Sequence, residues 1–245
     1  MRRKKRKRKK RWPVFLGGLL FLGVGGLIAV KVFTVKHVIV NGNERYDDDV
    51  IQEWVLNDKY SWNTLYVYLK YQFQEPEVIP FVDTMEISMK PPHTIEIQVY
   101  EKGLLGYVYL ESLGQNAYFD KDGIVVETST EEIEGIPRIT GLSLDAVVLY
   151  EPLPLKEKQL LKNLLTLTRT LKKYEIVPEH IKYSEDRTYV LEYGDIEALL
   201  GNAEHVGDKV LRLSYILPKL EGMKGKLHLE GWTENTTDIP FEKSN

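Results

Sequence analysis

The chain opens on a run of positive charge that gives way at once to a run with no charge. Residues 1–11 read MRRKKRKRKKR, ten of them Lys or Arg, and Val14 to Val30 carries no charged or strongly polar side chain. Seventeen helical residues span roughly 26 Å, and Trp12 with Val32 and Phe33 extends that reach towards the roughly 30 Å hydrocarbon core of a bilayer. Only a helix lets an open-ended segment satisfy its own backbone in lipid. The spacing predicts a transmembrane helix over 13–33. Arg2, Arg3, Lys4, Lys5, Arg6, Lys7, Arg8, Lys9, Lys10 and Arg11 flank one end, against Lys31 and Lys36 near the other. That bias orients a single-pass protein with a basic cytoplasmic tail, 1–12, and everything after residue 33 outside the cell membrane. Two other readings compete. A basic run is also a nucleic-acid or targeting signal, but the adjoining apolar segment assigns it to the lipid bilayer and not to nucleic acid. A cleaved signal peptide would want small residues at A-x-A spacing, and Val30-Lys31-Val32-Phe33-Thr34 follows Ala29 instead. Gly25 and Ala29 form a small-xxx-small pair that could support helix pairing, although glycine is common in membrane helices in any case.

The formal net charge of -3 hides this asymmetry. With the ten basic residues of the head set aside, 23 Lys and Arg face 36 Asp and Glu, a net of -13 for residues 12–245. There is no cysteine, so disulfides, thiolate chemistry and cysteine-ligated metals are excluded. The Asn235-Thr236-Thr237 sequon would matter only in a eukaryotic secretory pathway.

Beyond residue 33 the pattern predicts an α+β protein in two parts. In 34–101, Lys36–Val40 is a short β-branched run closed by the turn Asn41-Gly42-Asn43. Asp49 with Gln52 fits a capping box, ahead of a helix burying Val50, Trp54 and Val55. A second helix is expected over 64–73, with Leu65, Tyr68, Leu69 and Phe73 inward. Residues 82–89 alternate as a strand, with Val82 and Met85 out of phase, before Pro91-Pro92 breaks it. Ile95, Ile97 and Val99 share one face of the next strand. The order is strand, helix, helix, strand, strand.

In 102–242 short strands are expected at 104–110, 117–119 and 124–127, with Asp120-Lys121-Asp122-Gly123 as a hairpin turn. A brief strand follows at 138–141. Residues 156–174 form an amphipathic helix carrying Leu160, Leu161, Leu164, Leu167 and Leu171. A hairpin over 181–193 and a strand at 196–200 follow. A second helix over 206–220 and a last strand at 225–230 complete a mixed or antiparallel β domain with two amphipathic helices on one side. The tail after 230 is polar, apart from Ile239-Pro240-Phe241, which is sticky enough to be tied down.

No catalytic signature accompanies this organisation. The five histidines are scattered outside any H-x-x-x-H or H-E-x-x-H spacing, so neither a metal nor a cofactor is expected. Neither G-x-S-x-G nor G-x-x-x-x-G-K-[ST] occurs, and Gly23-Val24-Gly25-Gly26 sits inside the apolar run. Asp47-Asp48-Asp49 reads as a solvated helix start, and Glu131-Glu132-Ile133-Glu134 as a charged loop. The expectation is a protein that is not an enzyme.

Four stretches, in order, resemble the bacterial cell-division proteins of the FtsQ/DivIB family. An apolar segment is followed almost directly by Phe33-Thr34-Val35-Lys36-His37-Val38-Ile39-Val40-Asn41-Gly42-Asn43, similar to the opening of a POTRA domain. Lys90-Pro91-Pro92-His93-Thr94-Ile95-Glu96-Ile97-Gln98-Val99-Tyr100-Glu101-Lys102 is similar to the family's proline turn, strand and charged junction. Tyr118-Phe119-Asp120-Lys121-Asp122-Gly123-Ile124-Val125 is similar to its D-x-x-G hairpin. Ile196-Glu197-Ala198-Leu199-Leu200-Gly201-Asn202, the helix over 209–220 and the strand over 226–230 form the fourth. Where the family's last strand often carries an acidic-apolar-basic triplet, this chain has His228-Leu229-Glu230.

The resemblance implies a membrane anchor, a POTRA domain over 34–101, a β domain over 102–242 and a short tail, 243–245. It implies a non-enzymatic scaffold of the division septum. The POTRA domain would recruit other septal membrane proteins. The β domain would bind the outer ends of small coiled-coil division proteins of the FtsL and FtsB/DivIC type. Carried onto this sequence, the binding edge is Thr236, Thr237, Asp238, Ile239, Pro240 and Phe241. An exposed strand edge has unpaired N–H and C=O groups that a partner strand can complete. Two alternatives are a membrane-anchored envelope enzyme of the wall-hydrolase type, which would need convergent acid–base groups, and a POTRA-bearing assembly factor, which would usually repeat the unit.

Overall fold

The computed structural model describes residues 12, 17, 18, 20, 23–26, 31–144, 146–236 and 238–244. The basic residues Arg2 to Arg11, most of the apolar run, and Thr237 lie outside the described residues. Among the described residues no helix is long and apolar enough to cross a membrane. The fold is mixed α and β, and the chain divides into two compact units between Glu101 and Lys102.

The first unit follows the order strand, helix, helix, strand, strand: β1 (His37–Asn41), α1 (Asp48–Val55), α2 (Thr64–Phe73), β2 (Val82–Lys90) and β3 (Thr94–Glu101). Its sheet has the order β1-β3-β2, with β3 parallel to β1 and antiparallel to β2. The central strand shows the alternation expected of it: Ile95, Ile97 and Val99 are buried. The mismatch between Val82 and Met85 is a β-bulge. The register slips by one residue between Val82 and Thr84, so both Val82 and Met85 reach the core.

Two sequence expectations need correction here. The helix α1 begins two residues earlier than a capping box on Asp49 requires. Asp47 is the N-cap and makes no side-chain cap bond, while Asn43 Nδ2 donates to Asp48 Oδ1 (2.8 Å). Ile51 and Val55 are its fully buried residues, and Val50 is only half-buried. In α2 the inward face is Thr64 and Val67, not Leu69 and Phe73, and Phe73 is 87 % exposed. This helix is apolar nearly all round, so periodicity does not choose its face. Polar anchors choose it. Asn63 caps the helix by accepting from the Tyr66 N–H (2.9 Å), and Thr64 Oγ1 donates to Pro92 O (2.6 Å) and to Phe33 O (3.1 Å).

The second unit is built on a nine-stranded sheet. In chain order the strands are β4 (Leu104–Leu110), β5 (Gln115–Asp120), β6 (Val125–Ser129), β7 (Arg138–Thr140), β8 (His180–Tyr183), β9 (Tyr189–Tyr193), β10 (Ile196–Gly201), β11 (Gly225–His228) and β12 (Phe241–Lys243). Their spatial order is β12-β11-β10-β9-β8-β7-β4-β5-β6. Two helices, α3 (Lys158–Lys173) and α4 (Val206–Ile216), pack on each other and share one apolar core with the sheet. The long helix read over 206–220 tightens into a 3-10 turn at Leu217–Leu220, where Pro218 cannot continue the α-helical ladder. The hairpin turn after β5 is pinned by Asp120 Oδ1, which accepts from the N–H groups of Asp122 (2.8 Å) and Ile124 (2.9 Å).

Candidate partner-binding edge

The register of the second sheet sorts its side chains into two rows. Ile139, Ile181, Leu191, Ala198 and Leu227 are cross-strand neighbours from β7 to β11, and all are buried in the core shared with the helices. The row ends on Phe241 of β12, half-buried against the same core. On the opposite face runs a polar row: Arg138, His180, Glu192, Glu197, Lys226 and Glu242. Its charges pair with neighbours. Glu192 meets His180 (3.1 Å) and Lys182, and Lys226 meets Glu197 (3.3 Å). From β7 to β12 these rows are apolar on the core side and charged on the other, which sets the register of those strands.

Composition reads the tail as polar and the resemblance implies an edge over 236–241; the strand itself lies over Phe241–Lys243. Its only signal is the apolar pair Ile239 and Phe241, and both do pack against the core. The partner edge expected at 236–241 is placed as follows. Thr236 closes a turn, its Oγ1 accepting from the Thr233 N–H (2.9 Å). Asp238, Ile239 and Pro240 have no regular secondary structure, and Phe241 opens β12. Glu242 and Lys243, not singled out in the sequence, complete the edge strand, so Lys243 belongs to the sheet and not to a tail.

The hydrogen bonds show which backbone groups are spent. The His228 N–H donates to Pro240 O and the Ser244 N–H to Lys224 O, both at 3.0 Å. In an antiparallel pair, alternate residues face the neighbouring strand. Pro240, Glu242 and Ser244 thus turn towards β11, and the N–H and C=O of Phe241 and Lys243 turn outwards. Among the described residues no strand pairs with that outer side.

Two local features hold β12 in place. At Gly225 the backbone has a φ of 151°, and an added Cβ would overlap the carbonyl oxygen of Glu242. Glycine is what lets the two backbones approach there. His228 is the second. Its Nδ1 donates to Glu230 (2.7 Å) and its Nε2 lies 3.5 Å from Glu242. The hydrogen bond to Glu230 raises the imidazole above its ordinary value, against partial desolvation, and Glu242 adds to the rise. A raised folded-state value means this contribution is complete below the unfolded value of about 6.5 and is lost as pH climbs through the folded one. We expect amide exchange at Glu242 and Ser244 to speed up as pH rises through that window, after correction for intrinsic exchange, and His228→Gln to abolish the pH dependence. An unchanged profile in the variant would remove His228 from the account.

Among the described residues no group of three or more His, Asp or Glu is placed to hold a metal ion. The chain matches no family model and no curated protein.

Proposed function

We propose that this chain is a membrane-anchored, non-enzymatic scaffold of the FtsQ/DivIB kind, held in the division septum with its basic tail in the cytoplasm. The carrying observation is the outer edge of β12, where Phe241 and Lys243 present backbone groups that no described strand completes. A partner strand added there would gain affinity from main-chain hydrogen bonds and specificity from the two rows it extends. A side chain set beside Phe241 would continue the apolar row, and one beside Glu242 would be basic. The outer ends of small coiled-coil division proteins, of the FtsL and FtsB/DivIC type, are the proposed partners. The first unit supports the same reading, because its β-α-α-β-β order is the one the resemblance to a POTRA domain implies, the module that would recruit other septal membrane proteins.

The test is a titration of the full-length chain, reconstituted in lipid nanodiscs, with a peptide from the outer end of such a partner. Lys243→Pro removes an outward N–H while leaving the inward bonds of Glu242 and Ser244 in place. It should weaken binding about tenfold or more, since it deletes a backbone bond at the interface centre and adds a steric block. Lys243→Ala should bind nearly as the parent does. Equal affinity for a folded Lys243→Pro variant would exclude this edge as the site.

A further inference from the structure

The end of the first unit nearest the apolar run carries exposed aromatics. Tyr60 and Trp62 are 50 % and 45 % exposed, and they lie in the loop between α1 and α2. That loop is bonded directly to the residues that follow the apolar run. The Val35 N–H donates to Trp62 O (2.8 Å), the Thr64 N–H donates to Phe33 O (2.7 Å), and Thr34 forms a β-bridge with Asn63. The loop is also braced from within. Asp58 accepts from the Tyr60 N–H (2.8 Å), Lys70 Nζ (2.8 Å) and Tyr66 Oη (3.1 Å), so its charge is matched by Lys70.

Reach then limits where this loop can be. Thr34 follows Val30 by four residue steps, at most about 14 Å of extended chain. Lys31 and Val32 are helical, which shortens the span further. The polar layer beyond the hydrocarbon is itself about 5–8 Å deep on each side. If the apolar run crosses a bilayer, the loop is held at the level of the headgroups. Its composition suits that layer: Tyr and Trp pair an apolar ring with a polar tip. Lys59 lies over the Tyr60 ring (4.8 Å), and Lys31 and Lys36 are exposed at the same end.

We propose that the loop 59–62 is a second membrane contact, in which Tyr60 and Trp62 enter the headgroup layer of an anionic bilayer while Lys59, Lys31 and Lys36 meet lipid phosphate. The proposal rests on the membrane-anchored reading above. It makes the first unit a body seated on the lipid by one end. The opposite end, where Tyr46 Oη donates to Pro80 O (3.0 Å) and Val78 is 90 % exposed, then faces away from the membrane.

The absence of cysteine makes the test direct, because any introduced cysteine is unique. Full-length Tyr60→Cys and Val78→Cys are each labelled with a polarity-sensitive fluorophore. They are reconstituted into phosphatidylcholine vesicles containing phosphatidylglycerol, and flotation with the vesicles is measured first. The expected result is blue-shifted emission at position 60, quenched by a lipid bearing a nitroxide near its headgroup, with position 78 unaffected. A chain that floats but shows no quenching at position 60, or equal quenching at both positions, overturns the contact and leaves the anchor standing. A chain that does not float overturns both the anchor and the contact that depends on it.

Discussion

Gly225→Ala should release the terminal strand from the second sheet. The new Cβ would overlap the carbonyl oxygen of Glu242, and β12 can relieve that only by moving off β11. A side chain at this φ adds its own strain of about 1–3 kcal/mol. Lost with the strand are its ladder bonds and the half-burial of Phe241. The expected destabilisation is about 2–4 kcal/mol by urea unfolding. The local readout is sharper than the global one: the Ser244 amide, bonded to Lys224 O, should lose its protection from exchange. Partner binding should fall as well. The pairing with Lys243→Pro separates cause from consequence, since that variant should lose binding while Ser244 stays protected. A Gly225→Ala protein with parental stability and a protected Ser244 amide would show that the two backbones are not in the close register described here.

Lys209→Met should be the other large effect, and it concerns the core. Lys209 is 1 % exposed, and its Nζ donates to Leu200 O (2.9 Å) and Asn202 O (3.4 Å). Desolvation lowers its pKa, opposed by the more distant Glu204 and Glu230 carboxylates. The side chain acts as a tether, tying α4 to the end of β10, where a register shift between Leu199 and Gly201 interrupts the ladder. Methionine keeps the apolar stem but leaves the Leu200 carbonyl without that donor. We expect a loss of about 1–3 kcal/mol for Met, and about 3–5 kcal/mol for Lys209→Ala, which also opens a cavity. The pH dependence has a definite sign. Because the folded chain holds this proton less tightly than the unfolded one, the parent should gain stability relative to Lys209→Met as pH rises towards 10.5. Urea midpoints for both proteins across that range check it. A Met variant as stable as the parent at every pH would mean that the buried ammonium contributes no net stability.

The two residues differ in how visible they are in sequence. Nothing in Lys209 distinguishes it from any other lysine on an amphipathic helix, where the ordinary expectation is solvent exposure. Gly225 opens a readable strand, but its need for glycine comes from a strand sixteen residues later that the polar tail conceals. The same logic covers α2. Its sequence offers two apolar faces, and the choice between them is made by Thr64 reaching Phe33 and Pro92. The Val82–Met85 mismatch was visible as an irregularity, yet only pairing with β3 reveals the bulge that resolves it.

What the amino-acid sequence determined by itself is local and periodic. It set the charge asymmetry of the first thirty residues, the strand-helix-helix-strand-strand order of the first unit, the alternation in β3 and the Asp120–Gly123 turn. It also set the two amphipathic helices of the second unit. These follow from side-chain period and turn chemistry, each of which acts over a few residues. Tertiary structure decided what depends on meetings between distant segments. These include the parallel insertion of β7 between β4 and β8, the buried face of α2, the burial of Lys209 and the edge formed by β12. A strand as short as Phe241–Lys243 has too few residues to announce a period. It exists because β11 offers it a ladder and the core offers Phe241 a place, and both of those are properties of the folded sheet.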